Sequence, residues 1–177
     1  MHGESHAPLF MGCIFVMLYK TPKAIDWTML NQMFSGSGLF VQNSNFDAVL
    51  RVGSHRLVYL ATPYSKEVLD YTGKWCAARS EILGQEAAKW MGHLALNGVS
   101  CVSPIVQSVA MVSVDNNMNI DPLDDMFWEK WCRPLLNRSD VVIIPPIDGW
   151  DRSYGVWREA WSALSCNNLV IQMSGGL

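Results

Sequence analysis

The second two-thirds of the chain alternates short apolar runs with longer segments of helical spacing. The runs are "RLVYLA" (56–61), "VSCVSPI" (99–105), "DVVIIPP" (140–146) and "LVIQM" (169–173), and each closes on or within two residues of Pro, Ser or Gly. Continuous apolar runs of this length suit strands buried on both faces. Between them, Trp75–Asn97 is rich in Ala, Leu and Glu and stops at Gly98, which predicts a helix. A second helix is expected to begin near Asp121–Asp124, after the polar loop "DNNMNIDP", and to be disturbed at Pro134; a third follows Gly155. Strand and helix in strict alternation predict an α/β fold over residues 55–177: a three-layer, doubly wound, mostly parallel sheet of the flavodoxin or Rossmann kind.

Residues 1–54 read differently, as an N-terminal extension packed on that domain. They comprise an apolar run (Phe10–Tyr19) expected to be a buried strand, then a short helix over Asp26–Phe34 with Trp27, Leu30, Met33 and Phe34 on one face. A "SGSG" turn and "LFVQ" follow. An extra layer or a subunit contact is the expected role. The run Leu9–Tyr19 has the length of a signal-peptide core, but Glu4 and no Lys or Arg precede it and no small-residue cleavage site follows. It is also shorter than the ~20 residues that span a bilayer.

Composition narrows the function. A chain of 177 residues, 50% hydrophobic and 16% charged, suits one globular core. A net charge of −3 argues against a polynucleotide partner, which requires a basic stripe, although a local site can still hold one phosphate. The five cysteines form no CxxC pair and, being odd in number, suggest reduced thiols and a cytoplasmic location. The four histidines and the cysteines show no metal-ligand spacing, so no metal is expected, nor any membrane association.

Ligands of doubly wound sheets bind at the carboxyl ends of the strands. Here those ends read "ATPYS", "SPI" and "PPIDGWD". After the third, Ser153 and Gly155 open a helix, where a hydroxyl and free backbone N–H groups favour an anion such as phosphate. Glu159 follows one turn later among Trp157, Trp161 and Leu164, near the buried side. A carboxylate so placed can attack a sugar carbon and stabilise an oxocarbenium-like transition state. Trp150 and Tyr154 are candidates to stack on a base, and Arg79 and Lys66 to face a phosphate.

"RLVYLATPYS", "SPI" and "LLNRSDVVIIPPIDGWDRSYGVWREAWSA" resemble the nucleoside 2-deoxyribosyltransferase superfamily over about residues 56–173. The resemblance is nearest to its nucleoside 5′-monophosphate N-glycosidase-like branch, with uncharacterised bacterial and phage members. It implies that Glu159 is the nucleophile on the anomeric carbon and that Tyr59 orients it, with Tyr64 the substitute if the register differs. Tyr64 and the neighbouring Ser65 are then substrate-binding candidates, as are Asp148, Trp150 and Gly155. Six residues before the glutamate, exchangers of bases between free nucleosides tend to carry an aspartate, whereas the monophosphate glycosidases carry a phosphate-binding serine; this chain has Ser153. A hydroxyl accepts a phosphate dianion that a carboxylate would repel.

Two positions depart from the pattern. Where the superfamily commonly has an acidic residue that contacts or protonates the leaving base, this chain has Cys132. Asp124, Asp125 or Glu129, or Asp148 or Asp151 from the loop, are the alternatives; Asp151 is the catalytic candidate among the loop pair. A histidine often found after "SPI" is replaced by Val106 and Gln107. The implied activity is cleavage of the N-glycosidic bond of a (deoxy)nucleoside 5′-monophosphate, with no cofactor. Base exchange and a catalytically weak nucleotide-binding module are the alternatives. The resemblance also implies a homodimer or larger homo-oligomer.

Overall fold

The structure is a computed structural model, and it describes residues 22–114 and 119–176. The apolar run expected as a strand over Phe10–Tyr19, and part of the polar loop before Asp121, lie outside the described residues. Five strands form one entirely parallel sheet: β1 (Phe40–Ser44), β2 (Leu57–Leu60), β3 (Ser100–Val102), β4 (Val141–Ile144) and β5 (Leu169–Met173). Among the described residues six α-helices accompany it: α1 (Trp27–Met33), α2 (Phe46–Gly53), α3 (Ala77–Leu96), α4 (Pro104–Ser113), α5 (Asp125–Arg138) and α6 (Tyr154–Ser165). This is the α/β architecture that the alternating pattern predicts. None of the described helices is long and apolar enough to cross a membrane.

The strand order is β1-β5-β4-β2-β3. From β2 the chain moves outward to β3 and then returns to the other side of β2 to lay down β4 and β5. The order therefore reverses between β2 and β4, which places a crevice beyond their carboxyl ends. β4, the run "VVII", is buried at every position and registers with both neighbours, Val142 facing Tyr59 on one side and Val170 on the other.

Successive strand residues point to opposite faces, and the core divides accordingly. Tyr59, Val142, Ile144 and Val170 pack on Trp157, Ala160, Trp161 and Leu164 of α6, with Leu136 of α5 and Leu30 of α1. Val58, Leu60, Val141, Ile143 and Ile171 pack on the other face against Trp90 and Leu94 of α3 and Val49 of α2. Burial of such side chains contributes about 1.5–3 kcal/mol each.

The expected elements are present with shifted ends, and one expectation needs correction. "VSCVSPI" is not extended throughout: the strand stops at Val102, and Ser103 caps a ten-residue helix. Its hydroxyl accepts from Val106 N at 3.4 Å while Pro104 occupies the first helical position, where its missing N–H has no partner to lose. Pro134 lies inside α5, which continues to Arg138, with Ser139 donating its hydroxyl to Leu135 O at 2.9 Å. At the other end of the chain, "LFVQ" enters β1 and pairs in parallel with β5 (Phe40 with Val170), and α2 supplies Val49 to the core. Residues 40–53 thus contribute to the same sheet and the same core as the rest.

Candidate active site

β2 brings Tyr59 to the centre of the sheet, fully buried, with its ring against the α6 side. α6 presents two adjoining stripes. Trp157, Ala160, Trp161 and Leu164 recur at helical spacing and are buried, while Gly155, Arg158, Glu159 and Ser162 flank them and are half-buried. Glu159 therefore stands at the edge of the core rather than within it, and Tyr59 Oη donates to its Oε1 at 2.6 Å. The partner of the glutamate is Tyr59, not Tyr64.

This pairing sets the electrostatics. Burial pushes the Glu159 carboxyl up from its ordinary 4.5 to about 7, and the Tyr59 hydrogen bond and the Arg158 charge oppose that rise. Tyr59 is raised well above its ordinary value, first by burial and then by the Glu159 charge, so it serves as the donor. Cys132 comes close to both groups. Burial, followed by the charge on Glu159, pushes its thiol up to about 12, so it stays protonated at neutral pH.

Glu159 faces an open cleft beyond the carboxyl ends of the strands. Thr62, Tyr64 and Ser65 enter it after β2, Pro104, Ile105 and Ser108 after β3, and Ser153 and Gly155 after β4. The helix α5 contributes Asp125, Trp128 and Cys132. An adjoining chamber shares Tyr64, Ser65, Asp125, Ser153, Gly155 and Arg158 with it and adds Lys66, Glu67 and Tyr154.

Ser153 caps α6, accepting from Val156 N at 3.4 Å. A Cβ added at Gly155 would meet only Ser153 Oγ, at 3.8 Å, so the space over this helix terminus is open to a ligand. Thr62 adds a second polar group: its hydroxyl is buried, lines the cleft and has no hydrogen-bond partner among the described residues. Buried polar atoms are nearly always satisfied, and a bound ligand or water would satisfy this one.

Of the residues singled out in the sequence, Glu159, Tyr59, Ser153, Gly155, Tyr64, Ser65, Cys132 and Asp125 come together here. Tyr64 does so as a wall, since its hydroxyl is shared with Ser80 Oγ at 2.8 Å and accepts from Trp75 Nε1 at 3.1 Å. Lys66 lines the second chamber and donates to Arg152 O at 3.4 Å. Asp148, Trp150, Asp151 and Arg79 line neither chamber. Asp148 is exposed and pairs with Arg152 at 2.9 Å, which holds its carboxyl below the usual range. Trp150 sets its ring edgewise to Trp27, centroids 5.2 Å apart. Asp151 is exposed, and its carbonyl accepts from Trp27 Nε1 at 2.7 Å. Arg79 is exposed on the first turn of α3.

Sequence reasoning passed over Thr62, Trp128 and Arg158. The last lines both chambers, donates to Glu129 Oε2 at 2.9 Å and lies 5.7 Å from the centre of the Tyr154 ring. A signal for Trp128 was present: Asp125, Trp128 and Cys132 recur at i, i+3 and i+7, the spacing of one helix face. Residues 56–175 match a protein family described as a domain of unknown function, DUF1937. No curated protein and no solved structure matches the chain.

Proposed function

We propose that this chain, which belongs to the DUF1937 family, cleaves the N-glycosidic bond of a (deoxy)nucleoside 5′-monophosphate through Glu159. The observation that carries the reading is the 2.6 Å Tyr59–Glu159 hydrogen bond at the floor of a cleft whose rim is the N-terminus of the same helix. Gly155 and Glu159 are four residues apart, about 6 Å along the axis, comparable with the span from a 5′-phosphate to the anomeric carbon of one nucleotide.

In this reaction a Glu159 oxygen attacks C1′ while the C1′–N bond breaks, its electron pair leaving with the base, which takes up a proton. The Tyr59 hydroxyl holds the attacking carboxylate in one orientation, and Ser153 Oγ and the α6 N–H groups hold the phosphate. Water then adds to the glycosyl ester, releasing the sugar phosphate and restoring the carboxylate. A second base accepting the sugar in place of water would make the same site a base exchanger. The protonated thiol at Cys132 favours a further reading, a nucleotide-binding module with weak turnover, because a thiol held near 12 is a poor proton donor to a leaving base.

The test is incubation with a panel of nucleoside 5′-monophosphates and chromatography for free base. Base release by the wild type and its loss in Glu159→Gln support the proposal, together with a sugar-phosphate adduct on Glu159 from a slow fluorinated substrate. Tight binding with no release supports the binding module. Release at the wild-type rate by Glu159→Gln overturns the nucleophile.

A further inference from the structure

The loop that joins β4 to α6 carries three residues expected to touch substrate, Asp148, Trp150 and Asp151, and none of them lines the cleft or the second chamber. Their contacts hold the loop itself. It ends in a 3₁₀ turn over Trp150–Arg152, and the next residue is Ser153, the cap of α6. A shift of this turn therefore moves Ser153 and the helix N–H groups with it.

One side of the turn is held from the loop after β2. Arg152 meets Glu67 through two contacts, Nε to Oε1 at 3.1 Å and Nη2 to Oε2 at 3.3 Å, and Asp148 braces the same guanidinium at 2.9 Å. Lys66, beside Glu67, donates to Arg152 O at 3.4 Å. Gly149 permits the approach: its φ is +92°, and a Cβ added there would meet Glu67 Oε1 at 2.5 Å.

The other side is held by α1, which lies outside the stretch matched to the family, residues 56–175. Trp27 Nε1 donates to Asp151 O at 2.7 Å and its ring meets Trp150 edgewise at 5.2 Å. Just beyond the turn, Tyr154 Oη donates to Pro22 O at 3.2 Å. Leu30, on the same helix as Trp27, is fully buried in the core shared with α6, so this anchor is itself fixed.

The place of Glu67 is unexpected, because it lines the second chamber beside Ser153 and Gly155, where a carboxylate repels a phosphate. From these contacts we infer that Glu67 and Trp27 are positioning residues: they clamp the 150–152 turn from opposite sides and so aim Ser153 and the α6 terminus at the anion. The inference rests on the phosphate reading above. Glu67 acts through Arg152, and Trp27 through the Asp151 carbonyl. A half-exposed ion pair adds little to global stability, so the effect of this two-point contact is on geometry.

Charge and geometry predict opposite results for Glu67→Ala. The substitution removes a negative charge beside the site and frees the Arg152 guanidinium, so electrostatics alone tightens phosphate binding; loss of the clamp weakens it. Calorimetry on Glu159→Gln, which prevents turnover, compares the four common deoxynucleoside 5′-monophosphates with their nucleosides. With Glu67→Ala added, monophosphate affinity is expected to fall about tenfold while nucleoside affinity holds, because a misplaced helix terminus affects only the phosphate contacts. Trp27→Phe, which keeps a ring and loses the N–H, should weaken the monophosphates about threefold with the same split. Each residue is judged by its own variant. A monophosphate preference that is unchanged or larger overturns the positioning role and leaves the proposed function standing. Equal loss of both affinities, or of the folded state, makes the contact structural and overturns the role as well. Monophosphates that bind no better than nucleosides before either substitution, or do not bind, overturn the phosphate reading together with the inference.

Discussion

A residue that reacts is expected to be held at some expense of stability, and Glu159 allows that expectation to be tested without a substrate. Its carboxyl sits at about 7 in the folded chain against an ordinary 4.5, because burial disfavours the charge more than Tyr59 and Arg158 restore it. A folded-state value above the unfolded one means that the folded chain binds this proton more tightly. The stability associated with it is complete below about 4.5 and is lost as pH rises through about 7. The interval corresponds to about 3 kcal/mol, at about 1.4 kcal/mol per pH unit. Water reaching the half-exposed side chain makes this an upper bound.

Glu159→Gln keeps the shape and still accepts from Tyr59 Oη, but it never ionises. The variant is therefore expected to be more stable than the wild type by about 1–3 kcal/mol near pH 8, with the difference shrinking through neutrality and vanishing near pH 4.5. Urea unfolding of both proteins at four pH values between these limits reads it directly. A difference that does not change with pH, or a variant less stable than the wild type near pH 8, would refute the reasoning, since either outcome means that ionised Glu159 is not held against desolvation.

Three further outcomes follow from the same geometry. Ser153→Asp should abolish or reverse the preference for a nucleoside monophosphate over its nucleoside, at about 1.5–3 kcal/mol plus charge repulsion, measured by calorimetry with both ligands. If base is released, kcat/KM for the wild type should rise with pH through about 7 as Glu159 ionises, and Tyr59→Phe, which removes a hydrogen bond that lowers Glu159, should move that limb upward. Gly53→Ala should lower the unfolding free energy by about 1–3 kcal/mol, because the new Cβ would lie 2.8 Å from Cγ1 of Val99, the residue before β3; an unchanged midpoint would show that α2 is not part of the cooperative core.

The order of strands and helices from residue 56 onward could be read from the chain because a doubly covered parallel strand has to be apolar throughout and its helices amphipathic. "DVVIIPP" and "LVIQM" became β4 and β5 for that reason, and the turn after β4 announced Ser153, Gly155 and Glu159 because a capped helix start has its own local chemistry. A local signal also misled: an apolar run hid the cap at Ser103. What no local pattern could supply is the pairing across the sheet. Tyr59 and Glu159 are 100 residues apart and meet only because β2 lies beside β4 and α6 packs over both. The same packing turned Trp150 toward Trp27, while Trp128 was brought to the cleft with no mark in its own segment beyond helical spacing. Sequence period decides which residues share a face; the tertiary structure decides what that face meets, since the contacts that do so join segments far apart in the chain.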